Sequence, residues 1–71
     1  MHDIIIPIII LNWNNASDTI DCIESVYKQT YTSFHLFVID NDSKEQDKIK
    51  LSDFCKGKDN LTYIQNTKNI G

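Results

Sequence analysis

The sequence predicts a small α/β fold in which three parallel strands alternate with two helices, in the order βαβαβ. Two observations support this prediction. Apolar runs without polar alternation, the longest of them Ile4–Leu11, are typical of strands buried on both faces of a parallel sheet. Segments of helical periodicity separate these runs, and each connection is long enough for the crossover that parallel strands require. The 71 residues make at most one small domain, near the lower size limit for a self-sufficient core.

The first strand is predicted within Ile4–Leu11. Pro7 cannot donate a backbone hydrogen bond, so the regular strand should begin at or after Pro7, with residues 4–6 as a lead-in. The run ends in four polar or aromatic residues, Asn12-Trp13-Asn14-Asn15. In open α/β sheets, ligands bind at the carboxyl ends of the strands. The sequence therefore predicts a ligand-binding edge at this point.

The first helix is predicted from about Ala16 to Lys28, with Asn15 as its N-cap and Asp18 in its first turn. Apolar side chains recur at helical spacing, at Ile20, Ile23, Val26 and Tyr27. This pattern indicates an amphipathic helix that covers one face of the sheet.

The second strand is predicted over Phe34–Ile39, and it is followed by Asp40-Asn41-Asp42-Ser43. Ser43 and Gln46 have the spacing of a capping box, which predicts a second helix from about Lys44 to Cys55. Gly57 can supply the left-handed residue that ends this helix.

A short third strand is predicted over Leu61–Gln65, and a polar tail follows it. All three strands thus end in Asn and Asp residues at one edge of the sheet. Amides can pair with a nucleotide base, and carboxylates can accept hydrogen bonds from ribose hydroxyls. The same residues also make good turns and helix caps. That second interpretation is favoured for Asn15, Asp42 and Ser43, whereas both interpretations stay open for Asn12, Asn14 and Asp40.

Composition and charge exclude several classes of protein. The net charge is −3 and there is no basic stripe, so no nucleic-acid partner is expected. The apolar runs are too short to span a bilayer, and the opening residues do not resemble a signal peptide. We therefore expect a cytoplasmic protein. Cys22 and Cys55 have no metal-ligand spacing, and two reduced, packed thiols are favoured over a disulfide.

Signatures of catalysis are missing from the sequence. There is no G-x-G-x-x-G, no P-loop, and no Ser-His-Asp or Cys-His set, so no catalytic residue is predicted. Asp40-Asn41-Asp42 has the D-x-D pattern with which many sugar transferases hold a divalent metal. Here it lies between a strand and a helix cap, which favours Asp42 or Ser43 as a cap and Asp40 as a contact to the base or ribose, and no metal site is predicted. A receiver-like domain would need acidic residues where this chain has Asn12, Asn14 and Asn15.

Four segments, in order, resemble those of family 2 glycosyltransferases, a group with the GT-A fold. They are Ile8–Asn15 with Asp18–Ile20, Glu24–Tyr31, Phe37–Ser43 and Tyr63–Gly71. The last three are similar to the family's "ESLxxQTY", "VVDNGS" and "xxxENxxNxG". The letters LNWN at Leu11–Asn14 resemble the rhamnosyltransferase-like branch. One departure is Asp42, where the family has glycine, although Asp tolerates a left-handed conformation better than most residues.

The resemblance implies that a sugar is transferred with inversion from a UDP- or dTDP-linked donor to an acceptor hydroxyl. By position, Asp40 matches the acidic residue that contacts the base, and Asn69 and Gly71 match a segment that runs under the donor. The full nucleotide-binding set that the resemblance implies is Asn12, Trp13, Asn14, Asp40, Asn41, Asn69 and Gly71.

The family's metal-binding D-x-D for Mg or Mn, its catalytic base and its acceptor region lie beyond these segments. We therefore expect residues 1–71 to form a single partial domain, the N-terminal nucleotide-binding half of a GT-A, Rossmann-like fold. This portion is expected to hold no cofactor and to be inactive alone, within a parent enzyme that could associate peripherally with the cytoplasmic face of a membrane. The alternative is a non-catalytic α/β module that forms homo-oligomers through an open strand edge.

Overall fold

The computed structural model describes residues 4–29 and 33–66. Its elements are β1 (Ile6–Asn12), α1 (Ala16–Tyr27), β2 (Phe34–Asn41), α2 (Glu45–Cys55) and β3 (Leu61–Asn66). The three strands form one parallel sheet in the order β1-β2-β3. The predicted βαβαβ order and parallel pairing are confirmed, and the element boundaries lie close to those predicted.

The register of the sheet brings the polar ends of β1 and β2 together. Asn12 is paired with Asp40, and Asp40 is paired with Gln65 on the other side. The strand ends are therefore level with one another, as the common edge predicted from the sequence requires.

Both helices pack on the same face of the sheet. The core joins Ile23 of α1 and Leu51 of α2 to Leu36 and Val38 of β2, all of which are inaccessible to solvent. Successive right-handed crossovers between neighbouring strands place their helices on the same side. Because the strand order runs 1-2-3 without a reversal, one face receives both helices.

The opposite face, which we call the open face, is not covered by either helix in the described residues. Ile9 and Leu11 are 64% and 69% exposed there, so the prediction that β1 is buried on both faces is wrong. The reason is that β1 is an edge strand of a sheet whose helices share one side. Among residues 4–29 and 33–66, no carboxylate, lysine or arginine lies on the open face, whose side chains are Pro7, Ile9, Leu11, His35, Phe37, Ile39, Asn41, Thr62, Ile64 and Asn66.

The helix ends follow the prediction in part. Asn15 is the N-cap of α1, but its side chain donates to Asp18 Oδ2 (3.1 Å) and does not cap the backbone. The capping-box prediction for α2 is wrong, because Lys44 occupies the N-cap position and the Ser43 hydroxyl bonds elsewhere. Gly57 has a φ of 80°, which confirms the left-handed stop after α2.

The two cysteines are both free thiols, as expected. Cys55 is buried in the core, and burial raises the pKa of its thiol, although nearby Lys58 opposes this in part. Cys22 is exposed on α1, so the prediction that it is packed is wrong. In the described part of the chain, neither helix is both long and apolar enough to cross a membrane.

The two faces of the sheet predict opposite responses to truncation. Leu36→Ala leaves a cavity between the sheet and both helices and should lower the free energy of unfolding by about 2–5 kcal/mol. Ile9→Ala, on the open face, should change it by less than about 0.5 kcal/mol. Urea denaturation followed by circular dichroism measures both changes. A loss at Ile9 as large as that at Leu36 would show that the open face is covered in solution.

Candidate functional site

The carboxyl ends of β1 and β2 are joined by a set of buried polar side chains, which we call the polar cluster. Its members are Asn12, Thr19, Asp40 and Ser43, each 7% exposed or less. They come from β1, α1, β2 and the connection after β2. Four buried polar groups at one strand edge form a distinct site, because such groups are costly unless they bond to one another.

Asn12 lies at the centre of the polar cluster. Its Nδ2 donates to Asp40 Oδ1 at 2.7 Å and to Ser43 Oγ at 3.1 Å. Its Oδ1 accepts a hydrogen bond from Thr19 Oγ1 at 2.5 Å. Both amide hydrogens and the amide oxygen of Asn12 are therefore engaged within the protein.

Asp40 is fully buried and receives two hydrogen bonds. Its Oδ1 accepts from Asn12, and its Oδ2 accepts from the Ser43 N–H at 3.2 Å. The second bond closes a tight turn immediately after β2. The carboxylate thus holds the end of β1 and the turn after β2 at the same time.

Asn14 forms a second layer outside the polar cluster. Its N–H donates to Ser43 Oγ at 2.8 Å, and its Oδ1 accepts from the Lys44 N–H at 2.7 Å. The bond to Lys44 engages the backbone N–H of the N-cap residue of α2. Asn14 therefore ties the β1–α1 connection to the start of α2.

Asp42 adopts the left-handed conformation that the family's glycine favours at this turn. Its φ is 58°, and its N–H donates to the Asn66 carbonyl oxygen at 3.1 Å. Its carboxylate lies 3.6 Å from Lys48 Nζ. The turn after β2 therefore retains a left-handed geometry without glycine, and it also contacts the end of β3.

The predicted nucleotide-binding residues fall into distinct positions. Asn12 and Asp40 lie in the polar cluster, whereas Trp13 (59% exposed) and Asn14 form an outer rim. Asn41 is half-buried, on the side of the open face. Asn69 and Gly71 lie outside the described residues.

Sequence reasoning missed Thr19 as a member of the site and treated Ser43 only as a cap. Thr19 occupies the buried stripe of α1 together with Ala16, Ile23 and Val26. A hydroxyl on an otherwise apolar helical stripe was the available signal, because such a group needs a buried partner.

The D-x-D triplet does not have the geometry of a metal site. Asp40 is bonded inside the polar cluster, while the Asp42 carboxylate pairs with Lys48. Across residues 4–29 and 33–66, no group of three His, Cys, Asp or Glu side chains is arranged to hold a metal ion. These residues could hold a metal only if both carboxylates gave up their present partners.

Tyr63 of β3 places its hydroxyl near the polar cluster. This oxygen is buried and meets no hydrogen-bond partner among the described residues. Burial, followed by the charges of Asp40 and Cys55, raises the pKa of Tyr63 to about 12. By contrast, the hydroxyl of Tyr27 donates to Asn60 Oδ1 at 2.7 Å.

Comparison with known proteins adds one positive result. The family model described as glycosyl transferase family 2 matches residues 7–71, which include all of the described site. No match is found among curated proteins.

The difference between the two tyrosines yields a paired prediction. Tyr63→Phe removes a buried hydroxyl that has no partner and should leave stability at neutral pH unchanged or higher by up to about 1 kcal/mol. Tyr27→Phe removes a hydrogen bond and should cost about 0.5–1.5 kcal/mol. Urea denaturation of both variants at pH 7 provides the measurement.

The raised pKa of Tyr63 should also affect stability at alkaline pH. In the wild type, the raised pKa of Tyr63 makes the unfolded chain lose its proton first, so stability should fall between the unfolded pKa of 10.0 and the folded value of about 12. Tyr63→Phe should flatten this part of the profile. An unchanged alkaline slope, or a large loss of stability at pH 7, would contradict the environment assigned to Tyr63.

Proposed function

The chain belongs to glycosyl transferase family 2, and from this premise we propose that it is the nucleotide-binding N-terminal portion of an enzyme that transfers a sugar from a nucleotide-diphosphate donor to an acceptor hydroxyl. The donor is a UDP- or dTDP-linked sugar, and the transfer proceeds with inversion, as in the rhamnosyltransferase-like branch. The parallel βαβαβ sheet is consistent with half of a GT-A, Rossmann-like fold. The observation that supports binding most directly is that the carboxyl ends of β1 and β2 lie in register beside the exposed rim of Trp13 and Asn14.

The rim has the chemistry that a nucleoside requires. The Trp13 indole is 59% exposed and can stack on a base, an interaction worth about 1–3 kcal/mol. The side-chain amides of Asn14 and Asn41 carry both donors and acceptors, which can pair with the edge of a base. Asn69 and Gly71 complete the proposed set.

Asn12 and Asp40 belong to this site as buried residues that support the rim and do not contact the nucleotide. Both are inaccessible to solvent, and both are bonded within the polar cluster. Because Asp40 is fully buried, it could meet a base only if the side chains that cover it moved aside. Its carboxylate instead fixes Asn12 and Ser43 by hydrogen bonds, and Ser43 in turn bonds to Asn14 of the rim.

The chemical step is assigned to residues outside this portion. The family's metal, Mg or Mn, requires a D-x-D with free carboxylates, and Asp40 and Asp42 do not fit that requirement. We propose that this portion recognises the nucleotide and does not activate the acceptor. Its proposed location is the cytoplasm, with the parent enzyme at the cytoplasmic face of a membrane.

Nucleotide binding is the first test. Isothermal titration calorimetry with UDP and dTDP should give a dissociation constant near 1 mM, about −4 kcal/mol, because a single wall of a pocket supplies the contacts. Asp40→Asn keeps only one of the two acceptor oxygens that Asn12 Nδ2 and the Ser43 N–H require, and it should weaken binding at least about fivefold. The control is Asp42→Asn, which removes a carboxylate from the same turn and preserves a side chain that tolerates left-handed φ. Equal affinity in Asp40→Asn would remove Asp40 from the site.

Sugar transfer is the second arm of this test. The 71-residue chain, supplied with UDP-sugars, dTDP-sugars and Mg²⁺ or Mn²⁺, is expected to release no nucleoside diphosphate above the no-enzyme control. Turnover by this chain would overturn the assignment of chemistry to other residues.

A second candidate function, self-association, is favoured by the open edge of β1. The Ile6 N–H donates to the Ser33 carbonyl oxygen at 3.0 Å, so strand alternation directs the backbone of Ile9 and Leu11 away from β2. No strand of the described residues pairs with this side. A second copy of the chain could add its own β1 there and extend the sheet, with the open faces of the two copies side by side.

Self-association predicts that a charge at this edge separates the copies. Leu11→Lys should shift the chain to monomer in sedimentation velocity experiments, because the lysine would lie against the partner's apolar residues. Gln46→Lys, an equal charge change on an exposed position of α2, is the matched control and should leave the distribution unaltered. A wild-type chain that is monomeric at every concentration would exclude this second function.

A further inference from the structure

We propose that Ser43 is a positioning residue, which holds the Trp13–Asn14 segment in a conformation suited to nucleotide binding; this role rests on the function proposed above. Ser43 is 5% exposed. Its hydroxyl oxygen accepts from the Asn14 N–H at 2.8 Å and from Asn12 Nδ2 at 3.1 Å. A serine just before a helix usually caps that helix, but this side chain bonds to the neighbouring connection.

Ser43 is itself held from inside the sheet. Its N–H donates to Asp40 Oδ2 at 3.2 Å, while Asp40 Oδ1 accepts from Asn12. A continuous series of hydrogen bonds therefore runs from the centre of the sheet through Ser43 to the outer rim. Without the Ser43 hydroxyl, the Asn14 N–H and one Asn12 amide hydrogen would each lose an acceptor.

Asn14 depends on this support because its backbone conformation is unfavourable. Its φ is 52°, in the left-handed region that costs most L-residues about 1–2 kcal/mol and Asn somewhat less. Two bonds hold it there, one to Ser43 Oγ and one from the Lys44 N–H to its Oδ1. If the bond to Ser43 Oγ is lost, Asn14 is held only through its side chain, by the Lys44 N–H. The backbone of Asn14 can then change its conformation.

The orientation of Trp13 is set by its two neighbours. Asn12 is bonded inside the polar cluster, and Asn14 is bonded to Ser43, so the backbone on both sides of Trp13 is fixed. A stacking platform that is already oriented avoids the entropy cost of ordering when the ligand binds. Ser43 thus acts on the nucleotide through Asn14 and Trp13, without touching it.

The test uses the fact that Trp13 is the only tryptophan in the chain. In Ser43→Ala without nucleotide, the fluorescence anisotropy of Trp13 should fall and acrylamide quenching should rise, because the segment moves more freely. Ser43→Thr retains the hydroxyl and should restore both values. The matched control is Ser25→Ala, which removes a serine hydroxyl that donates to the Asp21 carbonyl oxygen within α1, and it should change neither value.

Titration with UDP then connects this mobility to binding. Ser43→Ala should raise the dissociation constant for UDP about tenfold, comparable to the loss of one hydrogen bond, while the far-UV circular dichroism stays unchanged. Unchanged Trp13 anisotropy in folded Ser43→Ala would overturn the positioning role.

Failure of the wild type to bind UDP would overturn the proposed function, and the anisotropy would still decide the role of Ser43. If Ser43→Ala does not fold, Ser43→Cys takes its place, since it preserves the volume of the side chain with a weaker acceptor. A lower fluorescence anisotropy of Trp13 in Ser43→Cys would support the positioning role, and an unchanged anisotropy would overturn it.

Discussion

The hydrogen bond from Asn12 Nδ2 to Asp40 Oδ1, 2.7 Å long and fully buried, is the interaction on which the functional edge depends. It exists only because Asn12 and Asp40 are paired in the sheet register. A shift of β1 by one residue would turn Asn12 toward the open face and leave Asp40 Oδ1 without its donor. A buried carboxylate that lacks a hydrogen-bond donor is energetically costly. The isoleucines of β1 alone would fit several registers, and the Asn12–Asp40 pair selects one of them.

The same bond makes two connections act as one structure. The β1–α1 connection and the β2–α2 connection each contain one residue with positive φ, Asn14 and Asp42. Strained backbone of this kind persists only where surrounding bonds determine it, and it concentrates at functional sites. Here Ser43 lies between the two strained residues and bonds to Asn12, Asn14 and Asp40. The arrangement indicates a rigid edge, which the proposed binding of a flat, polar ligand would require.

The fold could be predicted from the sequence because its determinants are local. Apolar runs, helical spacing and Gly57 mark each element, and parallel pairing follows from the length of the connections. Burial of β1 could not be predicted, since it depends on which face receives the helices and on β1 being an edge. The candidate edge was also found from local signals, as Asn and Asp residues at strand ends.

What the sequence did not reveal was the direction of individual side chains at that edge. The identities of Ser43 and Gln46 are compatible with a capping box, and only the proximity of Asn14 shows that the hydroxyl bonds across to the other connection. Thr19 likewise acquires its partner, Asn12, only after α1 has docked on the sheet. These contacts depend on the register and on helix docking, which single-residue patterns do not encode.

The central position of β2 has a consequence for the kinetics of folding. The chain consists of two overlapping βαβ units, and both use β2 as one of their strands. Each unit must close a loop that includes an entire helix before any strand pairing is formed, and that closure has an entropic cost. Neither β1 nor β3 can pair before β2 is in place, so the transition state should be organised around Leu36 and Val38. Substitutions in β2 should therefore slow folding, whereas those in β1 and β3 should mainly accelerate unfolding.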